Sequence, residues 1–193
     1  MNKTYLIIII IISFLIVSSV YADTGKVAQV NYNNIKCTRV VDGDTIELEN
    51  GEKVRLIGID TPESGNNSKT RRDSKRTGQD IKTITAMGKR ATEFVKPLVE
   101  GKQVRLEFDV GKKDRYGRLL AYVWYEMKIR EHARPIKGLP QPWIERSKEV
   151  MLNAEIVEAG YASPMTYPPN VKYAELFVRL YGEARENNRG LWR

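Results

Sequence analysis

Two short acidic segments carry the side chains best suited to chemistry: Asp42-Gly43-Asp44-Thr45 and Gly58-Ile59-Asp60-Thr61-Pro62-Glu63. If the two segments meet, Asp44, Asp60 and Glu63 can converge on one hard cation. Carboxylate and backbone oxygens without imidazole or thiolate favour Ca²⁺ or Mg²⁺ over zinc. Asp-Gly-Asp alone is weak, because Asp and Gly simply favour turns. Its occurrence together with Asp60 and Glu63 carries the weight. Arg55 leads into the second acidic segment, and Arg118 stands at the start of another apolar run. Taken singly, either arginine reads best as a structural ion pair. Taken with a metal and carboxylates, the two forks form a clamp for a phosphodiester, able to offset the charge of a five-coordinate transition state.

A hairpin would bring the acidic segments together. Thr45–Glu49 and 53–57 both alternate apolar with polar residues, and Asn50-Gly51 between them signals a tight type I′ turn. In such a hairpin paired residues sum to about 101, which sets 42–44 beside 58–59. Val54 and Leu56 then take one face and Arg55 the other, towards the acids. Further strands are expected at 35–41, 104–108 and 119–124, the last entered through Asp114-Arg115-Tyr116-Gly117. Helical spacing marks 86–98, where Pro97 should kink the helix. A second helix is expected over 147–159, stopped by Gly160, and a third over 171–187. The stripe Tyr173, Leu176, Phe177, Leu180, Tyr181 and Ala184 reads as core packing. The pattern predicts an α+β, mainly β architecture, a small barrel with packed helices.

Composition bounds the alternatives. The chain has 193 residues, 41% of them hydrophobic and 29% charged, which is globular rather than disordered. One cysteine, Cys37, excludes an internal disulfide framework and a cysteine-rich zinc site, and is expected as a small buried residue. One histidine, His132, excludes any mechanism that needs two, and reads as a plain surface residue. The net charge of +8 is compatible with a polyanionic partner or with a merely basic surface.

Residues 1–22 have the pattern of a secretory signal: Lys3, an apolar run with isoleucine at 7–12, then small residues Val20 and Ala22. Export with cleavage near Ala22 is expected, and an uncleaved membrane anchor facing outside the cytosol is the alternative. A short leader, 23–33, would then precede the domain at 34–193. The polar segment 64–90 holds eight basic residues against two acidic ones, Asp73 and Asp80. It reads as a flexible loop whose Arg71, Arg72, Lys75 and Arg76 draw in phosphate backbones without reading sequence. Residues 127–146 read as an ordered excursion of unknown role.

These blocks resemble the staphylococcal (micrococcal) nuclease family. The likeness rests on Asp42-Gly43-Asp44-Thr45, on Arg55 through Glu63, and on Asp114 through Trp124, and continues through Met151-Leu152-Asn153, Gly160-Tyr161-Ala162 and Gly190-Leu191-Trp192. The resemblance implies a five-stranded OB-fold barrel with three helices. It also implies a Ca²⁺-dependent phosphodiesterase that cuts DNA and RNA and leaves 3′-phosphates, and the domain is expected to be a monomer. By that likeness Asp44 and Asp60 are carboxylate ligands of Ca²⁺, Thr61 is a ligand through its carbonyl, and Asp42 is an acid behind them. Glu63 resembles the group that positions or deprotonates water, and Arg55 and Arg118 the pair on the scissile phosphate. A guanidinium is a poor proton donor to the leaving oxygen. Arg115 and Tyr116 resemble contacts to a neighbouring phosphate. Thr166-Tyr167 stands where the family's enzyme has two tyrosines, so only Tyr167 is a candidate for base stacking. The first hairpin is shorter, and the segment after Glu63 and the excursion at 127–146 are longer. A non-catalytic OB-fold nucleic-acid-binding module is the alternative, but such relatives should lack site groups that are all present here.

Overall fold

The computed structural model describes residues 30–132, 134 and 142–193. The expected signal or anchor at 1–22, most of the leader, and the tip of the excursion lie outside the described residues. Eight strands are described: β1 (Ile35–Asp42), β2 (Thr45–Leu48), β3 (Lys53–Leu56), β4 (Gly58–Asp60), β5 (Gln103–Glu107), β6 (Leu119–His132), β7 (Trp143–Met151) and β8 (Ser163–Met165). The helices among the described residues are α1 (Ser68–Thr77), α2 (Ile81–Val99), α3 (Leu152–Glu158) and α4 (Ala174–Glu186), with a 3-10 turn at Gly190–Trp192.

The order β3-β2-β1-β5-β6 closes on itself because β3 also pairs with β6 in parallel, Val54 beside Leu119 and Leu56 beside Ala121. That closure is the five-stranded barrel expected of an OB fold. The long β1 serves both halves, pairing Ile35 with Val104 and, past a register shift, Val40 with Ile46. Alternation puts Val40, Ile46, Leu48, Val54, Leu56, Val104 and Leu106 inside, and Cys37 is buried there as a free thiol. The α4 stripe does pack as core: Phe177, Leu180 and Ala184 are buried, with Tyr173, Leu176 and Tyr181 partly so.

Asn153, at the start of α3, ties this core together. Its amide accepts from the Val123 N–H (2.9 Å) and donates to the Ile57 carbonyl (2.9 Å), all out of water. Asn153→Ala leaves both backbone groups unpaired, and each buried unpaired group costs about 1–3 kcal/mol. The variant is expected to lose about 3 kcal/mol of stability, visible as a lower urea midpoint at unchanged slope.

Several expectations need correction. The β2–β3 turn is not type I′: Gly51 has φ +81, but Asn50 does not have positive φ. Gly51 donates to the Leu48 carbonyl and Leu48 to the Glu52 carbonyl, so three residues, not two, make the loop. Pairs therefore sum to 100, as in Thr45 with Arg55. There are four α-helices among the described residues rather than three, because the segment read as a flexible basic loop contains α1. Asn67 caps α1 with its side chain, Thr70 reciprocates, and Gly78 ends it in the left-handed conformation. Asp80 caps α2, which thus starts earlier than expected, and Pro97 lies in its last turn. The excursion is a hairpin arm. β6 runs on past the barrel and β7 folds back along it, from Trp124 with Met151 to His132 with Trp143. The second expected helix consequently starts at Leu152, since 147–151 pair with β6. His132 is exposed and stacks on Trp143 with ring centroids 3.8 Å apart.

A candidate phosphodiester-cleaving site

Three backbone devices bring the acids together. The β2–β3 register seats Thr45 against Arg55, so Asp44 and Arg55 share one end of the barrel. Beyond β3 the chain leaves the barrel as β4 and pairs with β8, which fixes Asp60 opposite Ser163. Gly88 of α2 then lets the helix lie directly on the next segment. A Cβ there would come within 2.3 Å of the Glu63 carbonyl, so the chain around Glu63 could not keep its place with any larger residue.

Asp44 is buried and fully partnered. One of its oxygens accepts from the Thr61 N–H (3.0 Å) and hydroxyl (3.1 Å), the other from the Thr45 hydroxyl (3.0 Å). Arg55 forks across two acids, with Nη1 3.0 Å from Asp44 Oδ2 and Nη2 2.9 Å from Asp60 Oδ1. Asp42 stands behind, accepting from the Gly43 N–H (2.9 Å) and the Thr92 hydroxyl (3.2 Å). Burial pushes its carboxyl up to about 6, against the Gly43 bond and aided by Asp44 and Glu63. Burial also raises the Asp60 carboxyl, with Lys69 and Arg55 opposing the rise.

Lys69, from the first turn of α1, reaches into this cluster. Its Nζ lies 2.8 Å from Asp60 Oδ1, 2.9 Å from Glu63 Oε1 and 3.1 Å from the Thr61 carbonyl. Glu63 also accepts from the Asn67 amide at 2.6 Å. Among the described residues no three acid, imidazole or thiol side chains form a ready metal cluster, because Arg55 and Lys69 stand between the carboxylates. The oxygens nevertheless already hold a cation, the ammonium, and the donors are hard carboxylates and a carbonyl. That set fits a hard divalent ion.

Three of the remaining candidates, Arg115, Tyr116 and Arg118, lie on the β5–β6 connection. Arg118 donates from its backbone N–H (3.0 Å) and Nε (2.7 Å) to Asp114 rather than to the acid cluster. It directly precedes Leu119, which pairs with Val54, so it lies next to the strand of Arg55. Arg115 and Tyr116 touch through Nη2 and Oη at 2.7 Å, and the Tyr116 ring is exposed. Tyr167 is also exposed, and its turn is docked on the β5–β6 connection by Asn170, whose amide accepts from the Gly111 N–H (2.8 Å) and donates to the Gly111 carbonyl (3.0 Å). Arg71, Arg72, Lys75 and Arg76 line exposed parts of α1; Arg71 donates to Asn66, and Arg76 pairs with Asp73. Beside Asp60 and Thr61 opens a hollow of about 460 Å³, walled by Met87, Tyr161, Tyr181 and Trp192.

Sequence reasoning passed over Lys69, Asn67, Gly88 and Thr92. Asn67 with Thr70 three residues on was a legible helix start. Lys69 was only one basic residue among eight in its segment, with nothing local to single it out.

The sequence profile described as "Staphylococcal nuclease homologue" matches residues 53–193. The chain is 31% identical to a protein named Thermonuclease from Staphylococcus hyicus, over 96% of this chain and 90% of that one. It is 33% identical to a Thermonuclease from Staphylococcus intermedius, over 80% and 73% respectively. It is 30% identical to Endonuclease YncB of Bacillus subtilis, over 82% of this chain and 61% of the relative.

Proposed function

The chain belongs to the staphylococcal nuclease homologue family, and from that premise we propose that it is an exported, Ca²⁺-dependent nuclease of DNA and RNA that leaves 3′-phosphates. It is a phosphodiester-hydrolysing nuclease with nucleic-acid substrates. The observation that supports this reading is one continuous acid cluster in which Arg55 bridges Asp44 and Asp60, and the Lys69 ammonium bridges Asp60, Glu63 and the Thr61 carbonyl. Asp44, Asp60 and Thr61 would hold the ion. When bound, it supplies Lewis-acid polarisation of a phosphoryl oxygen and offsets the growing negative charge.

The chain's own groups do the rest. Arg55 from β3 and Arg118 from just before β6 grip the scissile phosphate, each offering a planar fork to two oxygens. Glu63 orients a water in line with the P–O5′ bond and accepts its proton. The P–O bond to that water forms as the P–O5′ bond breaks; the O5′ oxygen leaves with the bonding pair and takes a proton from solvent water, so the phosphate stays on the 3′ side. Asp42 supports Asp44 from behind. Arg115, Tyr116 and Tyr167 form a surface for the next nucleotide. The hollow beside Asp60 presents aromatic walls to a base on the other side. The basic face of α1 adds a sequence-independent pull on the backbone.

The signal pattern at 1–22 supports export of the 34–193 domain, with membrane anchoring if that segment is retained. Among the described residues no helix is long and apolar enough to cross a membrane.

The test is incubation of the purified protein with plasmid DNA, single-stranded DNA and RNA, with Ca²⁺ or with excess chelator. All three should be cut with Ca²⁺ and none in chelator. Full activity in chelator would overturn the metal assignment. Binding without cutting would restore the non-catalytic module.

A further inference from the structure

We infer that Lys69 is a tethered cation competing with the divalent ion for the Asp60, Thr61 and Glu63 oxygens, so that α1 sets the metal concentration at which the enzyme switches on. This rests on the metal-dependent reading above. Two observations and one physical constraint carry it. The ammonium lies within 3.1 Å of an oxygen from each of these residues, two of them among the expected metal ligands and the third the expected base. Like charges and desolvation forbid an ammonium and a divalent ion from sharing those oxygens at such distances. Lys69 is also misplaced for its own helix. It sits in the first turn of α1, which carries no acidic residue, and a cation at that end opposes the helix dipole. Its placement is therefore set by the acid cluster and not by the helix.

The reach is built rather than incidental. Asn67 caps α1 by accepting from the Lys69 and Thr70 N–H groups (2.9 and 3.0 Å), and it donates to Glu63. The buried Thr70 donates to the Gly65 carbonyl, which pins the loop between Glu63 and the helix. The helix start and the expected catalytic base are thus one connected unit. Metal entry has to turn the Lys69 side chain out, which releases Glu63 from its ion pair and leaves it free to face water. Without metal, the same ammonium relieves repulsion among the acids.

Lys69→Met keeps the length of the side chain and removes the charge. Calorimetric titration of Ca²⁺ into wild type and variant, without nucleic acid, reads metal affinity directly. The variant is expected to bind Ca²⁺ about tenfold more tightly or better, in the usual range for coupled sites. In chelator it should melt at a lower temperature than wild type, and Ca²⁺ should raise its melting temperature by more. Lys69→Arg, which retains the charge, should stay close to wild type in affinity. Equal or weaker Ca²⁺ binding by Lys69→Met than by wild type overturns the inference and leaves the metal-dependent reading intact. Failure of wild type and both variants to bind Ca²⁺ overturns that reading and the inference with it.

Discussion

Arg55→Ala is expected to lower the cleavage rate at saturating Ca²⁺ by on the order of 10²–10³-fold, the usual loss when one preorganised charged donor to a transition state is removed. Arg55 has two tasks. In the structure its fork spans Asp44 and Asp60, and in the proposed reaction the same fork faces phosphoryl oxygens. Removing it without metal leaves two buried acids facing each other, so the metal-free variant should also be less stable. The rate is therefore compared at saturating Ca²⁺, where the acids are neutralised, with circular dichroism confirming the fold. Arg55→Lys separates the tasks. Lysine can pair with an acid but cannot present a planar two-pronged donor, so it should recover stability but not rate. An Arg55→Lys variant that cleaves at the wild-type rate would reduce Arg55 to an ion-pair strut.

Glu63→Gln should cost about 10²–10⁴-fold in rate, the range for loss of a general base, while substrate binding stays nearly unchanged. Glutamine keeps the shape and can still accept from the Asn67 amide that holds Glu63 now (2.6 Å), so α1 should remain capped. What disappears is the capacity to take a proton from water. Single-turnover cleavage and substrate affinity, measured separately, make the distinction: a loss confined to affinity would assign Glu63 to ground-state binding and remove it from the chemistry. The two substitutions act on one phosphate, so their combination should lose less than the product of the separate losses.

Much of this was legible in the order of residues. Barrel strands alternate with period two because one face is buried, so β2, β3 and β5 could be placed from hydropathy alone. The α4 stripe was equally clear, since a helix packed on one side repeats its apolar residues every three or four positions. The hairpin turn differs by one residue from the expected one because Asn-Gly suits both a two-residue turn and a type I turn closed by a left-handed glycine; the backbone angle at Asn50 and the ladder bonds at Leu48 distinguish them. The excursion at 127–146 reads as ordered, but 147–151 reads as helix because its residues suit helix and strand alike, and pairing with β6 decides for strand.

The residue types present, one cysteine and one histidine, already excluded cysteine-rich zinc and two-histidine chemistry and left carboxylates, arginines, lysines, tyrosines and hydroxyls, because side-chain chemistry travels with residue identity. The approach of α1 to the acids was decided by the fold alone. Gly88 lets α2 lie against the Glu63 backbone, and Asn67 turns the chain so that one lysine of many enters the site. Contacts between side chains far apart or differently oriented in sequence are set by packing, and packing is a property of the assembled surfaces rather than of any local run of residues.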